Sequence, residues 1–130
     1  MNMLEENKNL VREFFEAINR QDLARAEGML SEQLSWWIIG RAKISGQKDR
    51  RSVRISFKMV FRGFDHFAFT LHDITAEGNR VAVTAESRGR HKSGKDYNNH
   101  YHFLFFIEDS QIMQVKEYFD TEHAMWLEAG

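Results

Sequence analysis

Apolar residues recur at helical spacing in the first half of the chain and at alternate positions in the second. Val11, Phe14, Phe15 and Ile18 follow Asn7 on one face at a 3.6-residue period, which predicts an opening amphipathic helix. Asp22 is a fitting N-cap for a second, short helix carrying Leu23, Ala26 and Leu30. Residues 33–39 read as a short strand. Val53, Phe57, Val60, Phe61 and Phe64 repeat at three- and four-residue steps and predict a third helix within 47–64.

From Phe67 the period changes to two. Phe67, Phe69 and Leu71 alternate with polar or small residues, as do Val81, Val83 and Ala85. Glu77-Gly78-Asn79, Ser93-Gly94-Lys95 and Asp109-Ser110 are turn sequences between the runs. Four strands follow, over about 65–76, 80–92, 95–108 and 111–119, joined as an antiparallel meander. Helices first and a meander afterwards predict an α+β fold with the helices on one face of the sheet. The strand 97–107 carries Tyr97, Tyr101, Phe103, Phe105 and Ile107 on one face and His100, His102, Leu104 and Phe106 on the other. Both faces turn apolar toward its end. The helices of so small a domain cover one side only, so the other side is expected to meet a second copy, giving a homodimer through the sheet face.

Composition narrows the function. A chain of 130 residues is one domain, 1–130, long enough for a core and a small cavity. Its net charge of -1, from 18 basic and 19 acidic residues, supplies no basic stripe for nucleic acid. The densest basic cluster, Arg50, Arg51 and Arg54, reads as a solvated helix face. No cysteine means no disulfide, thiolate nucleophile or cysteine zinc site. The first ten residues do not read as a secretion signal, and the longest apolar runs, 36–39 and 103–107, are far too short for a membrane span. A soluble, cytoplasmic protein without a membrane partner is expected.

The order of elements resembles the nuclear-transport-factor-2-like superfamily. The resemblance runs from the opening helix with Phe14-Phe15, through 36–40 and Gly46, to the long hairpins. It is strongest to the SnoaL-like group, related to polyketide cyclases and ketosteroid isomerases, through Tyr97-Asn98-Asn99-His100-Tyr101-His102-Phe103 and Ile112 to Asp120-Thr121. It implies a cone: a curved, mostly antiparallel sheet wrapped around three N-terminal helices, with an apolar pocket at the open end. The fold hosts isomerases, hydrolases, cyclases and subunits without chemistry, so function must come from the site.

Asp120, closing the run Glu117-Tyr118-Phe119-Asp120-Thr121, is the first candidate. The resemblance to SnoaL-like cyclases implies an acid/base there, and an apolar pocket would raise its pKa toward neutrality. The competing reading, of equal weight, is the N-cap of a helix over 121–127. His102 is expected to assist as a polar partner, with His100 at the surface; His100 and His102 lack an obvious third ligand, so no metal is expected. Tyr118 shares a strand face with Asp120 if the strand is regular, and would offer a hydroxyl to a substrate oxygen. Trp36 and Trp37 point to opposite sides, one toward the cavity. Phe15, Phe57, Phe61, Glu86, Tyr101 and Asn99 complete the expected substrate contacts. Glu86 and Arg88 reverse the order of charges that epoxide hydrolases of this fold carry, which argues against that reaction, and an exposed ion pair is the commoner outcome. The expected activity is cofactor-free proton transfer, of isomerase or cyclase type, on a small apolar carbonyl compound. A non-catalytic ligand-binding or interaction module is the alternative.

Overall fold

The computed structural model describes residues 2–129. Helix α1 (Met3–Asn19) starts at Asn2, whose side chain accepts from the Glu5 N–H. Its inward stripe of Val11, Phe14, Phe15 and Ile18 is fully buried, as its period predicts. Asp22 caps α2 (Leu23–Gly28) and Asp49 caps α3 (Arg50–Gly63), each accepting from the backbone N–H three residues on. Leu30, expected on α2, instead opens strand β1 (Leu30–Ile38), which begins three residues before the predicted strand. A short strand β2 (Gly46–Lys48), which no periodicity announces, pairs antiparallel with the end of β1.

The meander follows as β3 (Phe64–Glu77), β4 (Arg80–His91), β5 (Asp96–Glu108) and β6 (Gln111–Phe119), then helix α4 (Thr121–Glu128). Asp109 and Ser110 both have positive φ, 51° and 62°, the geometry of a two-residue hairpin turn between β5 and β6. In the single six-stranded sheet the order is β2-β1-β6-β5-β4-β3, with β1 parallel to β6 and every other pair antiparallel. The sheet is curved and unclosed, and the helices fill its concave side. This is the predicted α+β cone.

Alternation along the strands sets what faces the helices. Phe103 and Phe105 of β5, Val81 and Val83 of β4 and Trp36 of β1 point inward and are almost wholly buried. Phe14 sits at the centre of this cluster, with its ring 5.6–6.4 Å from those of Phe15, Trp36, Phe57 and Phe105. Edge-on packing of this kind adds to the gain from burial alone. The outward face carries Trp37, Leu104 and Phe106, all half-buried, with Tyr118 and His102 exposed. Arg50 departs from the expected solvated face: its guanidinium donates to the carbonyls of Glu27 and Leu30, pinning α3 to the start of β1. No helix among the described residues is long and apolar enough to cross a membrane.

Gly89 permits the tightest crossing in the sheet. A Cβ there would lie 2.6 Å from the His66 carbonyl oxygen and 2.8 Å from Phe64 Cδ1, beside the register shift between Phe64 and His66. Backbone cannot yield as a flexible side chain does. Gly89→Ala is therefore expected to destabilise the fold by about 1–3 kcal/mol in urea unfolding. An unchanged midpoint would mean that the crossing has slack.

Candidate active site

Between α3, α4 and the concave face of the sheet lies a cavity of about 390 Å³. That volume falls in the range of small-molecule sites. Its walls are mostly aromatic: Trp36, Phe57, Phe64, Phe67, Phe69, Phe103 and Phe119, with Leu127 closing it from α4. Polar side chains also reach it, Lys48, Ser56, His91 and Glu128 among them, and the most consequential is Glu117.

Strand parity brings Glu117 there. Ile112 and Val115 of β6 are both buried although three residues apart, because a bulge resets the strand near Met113. Beyond the bulge Val115, Glu117 and Phe119 turn inward, and Tyr118 and Asp120 do not. In register, Glu117 lies between Ile38 of β1 and Phe103 of β5. Its Oε1 accepts from the Trp36 indole N–H at 2.9 Å, a buried bond. No other hydrogen bond reaches this carboxyl among the described residues, and none of their fully buried side-chain oxygens is left unpaired. Oε2 therefore opens onto the cavity. Burial pushes the Glu117 pKa up to about 7, against the smaller opposing effects of the Trp36 bond and the Lys48 charge.

Two tyrosines on β5 share the cavity. Tyr101 exchanges a 2.9 Å hydrogen bond with the buried Ser87 hydroxyl. Tyr97 accepts from Asn99 Nδ2 at 2.7 Å, and its hydroxyl also interacts with that of Tyr101. Burial raises both phenols above their ordinary pKa, well above it for Tyr101, so both remain donors near neutrality. The Glu117 charge adds to the rise in each, which places the carboxylate within electrostatic reach of the two hydroxyls.

The sequence-based candidates divide by face. Trp36, Phe57 and Tyr101 line the cavity together. Phe15 and Asn99 are buried behind its wall, and Phe61 packs against Phe67 at 6.2 Å without lining it. Trp37 points outward and meets the Tyr118 ring edge-on at 5.5 Å, and neither borders the cavity. His102, opposite Tyr118 and Thr84, is exposed on the same outer face. Glu86 is also outward, held by His72 Nε2 at 2.9 Å and Asn98 Nδ2 at 2.8 Å, with Arg88 at 3.4 Å. The Asn98 and His72 bonds keep its carboxyl below its ordinary pKa. Asp120 is exposed and N-caps α4, accepting from the His123 N–H at 3.1 Å. Among the described residues no group of three or more acidic or histidine side chains could hold a metal ion.

Glu117, Tyr97, Lys48 and His91 are among the cavity residues that the sequence does not single out as substrate contacts. The signal for Glu117 was present: an acidic residue at an inward position between Val115 and Phe119, legible once the bulge is known.

Comparisons with known proteins agree with this architecture. UPF0523 protein B of Dictyostelium discoideum is 26% identical over 132 residues, covering 90% of this chain and 80% of its own. An NTF2-like protein from Burkholderia pseudomallei superposes with a TM-score of 0.84 at 20% identity, covering 94% of this chain and 96% of its own. PrhC from Penicillium brasilianum superposes with a TM-score of 0.88 at 15% identity, over 97% and 87% of the two chains. The SnoaL-like domain model matches residues 11–115, which contain both cavity tyrosines and end within β6, before Glu117 and α4. With the cone, the helices and the apolar pocket of that group all in place, the chain belongs to the SnoaL-like domain family.

Proposed function

We propose that this protein catalyses cofactor-free proton transfer on a small, largely apolar carbonyl compound, with Glu117 as the acid/base. The observation that carries this reading is the Glu117 carboxyl in the wall of an aromatic cavity, its pKa raised to about 7 and one oxygen open to the void. A general base works best when its pKa lies near the working pH. The ionised carboxylate would take a proton from the carbon next to the substrate carbonyl. The electron pair left behind moves onto the carbonyl oxygen, and the Tyr97 O–H donates to that oxygen. Glu117 then returns the proton at the same or a conjugated carbon, so nothing is consumed. Trp36 holds Oε1 and leaves Oε2 to carry the proton. The aromatic walls lower the polarity around the carboxyl, which strengthens each of these contacts.

A plain binding module of this fold would have no use for a destabilised carboxyl in the wall of its cavity. The test is hydrogen–deuterium exchange at the α-carbon of a panel of cyclic and aryl ketones, followed by NMR in buffered D2O. Wild type is expected to accelerate exchange of at least one member with a rate that rises through pH 7, and Glu117→Gln is expected to lose that acceleration. Equal exchange in the two proteins would remove Glu117 from the chemistry. Acceleration by Glu117→Gln that is lost in Asp120→Asn would move the role to the strand end.

A further inference from the structure

Two lysines, Lys43 and Lys48, and two glutamates, Glu117 and Glu128, line the cavity. In the β1–β2 ladder Lys48 is the direct partner of Trp36. Cross-strand partners share a face, so the lysine side chain follows the indole inward, and it lines the cavity. Gln47 beside it turns outward to Ser35 Oγ at 2.6 Å. Lys48 is half-buried, and among the described residues its ammonium has neither a hydrogen bond nor a carboxylate within ion-pair distance. The Lys48 cation favours the charged form of Glu117 without touching it. The other carboxylate at the cavity, Glu128, is engaged elsewhere: its Oε1 accepts from the Lys43 backbone N–H at 2.9 Å. Lys43 itself stands at the rim and adds a second positive charge.

We propose that the natural ligand is a flat, aromatic-type molecule bearing an acidic group, a carboxylate or an ionised enol or phenol, which seats on the Lys48 ammonium beside Glu117. The walls select the body. Trp36, Phe57, Phe103 and Phe119 present ring faces and edges to the void, a lining that favours a planar apolar partner. Lys48 selects the substituent. An anion in the cavity would give the Lys48 ammonium the direct partner that it lacks among the described residues. The bland account is that an inward lysine on a short edge strand guards the edge against pairing with another sheet. That account needs the charge to sit at the edge. It gives no reason for the cavity to discriminate between ligands of equal shape.

This proposal rests on the reading of the cavity as the ligand site, and is independent of whether Glu117 moves a proton. The test compares 2-naphthoate with its neutral isostere 2-naphthamide by calorimetry on wild type, Lys48→Met and Lys48→Arg. Wild type is expected to bind the acid about tenfold or more tighter than the amide, Lys48→Arg to keep that preference, and Lys48→Met to bring the two to near parity. Unchanged amide affinity in Lys48→Met reports an intact cavity, so a lost preference there is not a folding defect. Equal binding of acid and amide by wild type, or a preference that survives Lys48→Met, overturns the anion subsite and leaves the proton-transfer reading standing. Binding of neither probe overturns the anion subsite for a flat aromatic acid, and the ketone exchange assay still decides the proton-transfer reading.

Discussion

Glu117→Gln is expected to make the protein more stable at pH 8 by up to about 3 kcal/mol, and to change little at pH 4. The direction follows from linkage. The carboxyl titrates near 4.5 when the chain is unfolded and at about 7 in the folded protein, where burial disfavours its charge. Between those values the native state holds a proton that the unfolded state has released, so stability falls as pH rises. The contribution of the protonated acid is complete below 4.5 and is lost as pH climbs through about 7. The interval from 4.5 to about 7 corresponds to roughly 3 kcal/mol. Glutamine removes the penalty because it never ionises, and its amide oxygen can still accept from the Trp36 indole. Urea unfolding of both proteins from pH 4 to pH 8 measures the difference. A difference that does not vary with pH would show that Glu117 ionises in the fold as freely as in solution.

Such a carboxyl is a cost that packing alone would remove. Its neighbours in register, Ile38 and Phe103, are apolar, and so are the flanking inward residues of β6, Val115 and Phe119. A leucine at 117 would continue the stripe. Perturbed acids gather where chemistry requires them, and here the perturbed group also borders the cavity.

Much of this architecture is legible in the residues, and the exceptions have physical causes. The period-3.6 stripe of Val11, Phe14, Phe15 and Ile18 and the period-2 runs of the meander both report burial directly, so the helices and strands follow from them. The strand β2 is three residues long, too short for any period to show. Leu30 is apolar in either element; it joins β1 because its partner across the sheet is Ile112. The site is harder to read because strand parity past residue 112 depends on one bulge. A regular strand counted back from Asp120 puts Tyr118 with it, but β6 ends at Phe119 and Asp120 caps α4, while Tyr118 lies on the outer face. Lys48 is silent in sequence for a different reason. Its inward direction comes from pairing with Trp36, a contact twelve residues away along the chain.

Asn99→Ala is expected to cost about 3–5 kcal/mol and to loosen α4, well beyond the effect of removing the helix cap itself. Asn99 is wholly buried on β5 and uses its amide fully at the junction where β6 passes into α4. Its Nδ2 donates to the Asp120 carbonyl at 2.9 Å and to the Tyr97 hydroxyl at 2.7 Å, and its Oδ1 accepts from the backbone N–H of Asp120 at 3.1 Å and of His100 at 2.7 Å. Truncation strands several of these groups, and each buried polar group left without a partner costs about 1–3 kcal/mol. Asp120→Ala removes only the capping bond to the His123 N–H, for about 1 kcal/mol. The consequence for function is local. Helix α4 supplies Ala124, Leu127 and Glu128 to the cavity wall, and Tyr97 stacks on His123, whose Nε2 accepts from the Asn98 N–H. Losing Asn99 therefore releases the cavity wall and the Tyr97 hydroxyl together. Amide exchange over 121–128 is expected to rise far more in Asn99→Ala than in Asp120→Ala. Equal protection in the two variants would mean that the cap, and not the buried amide, holds α4 over the cavity.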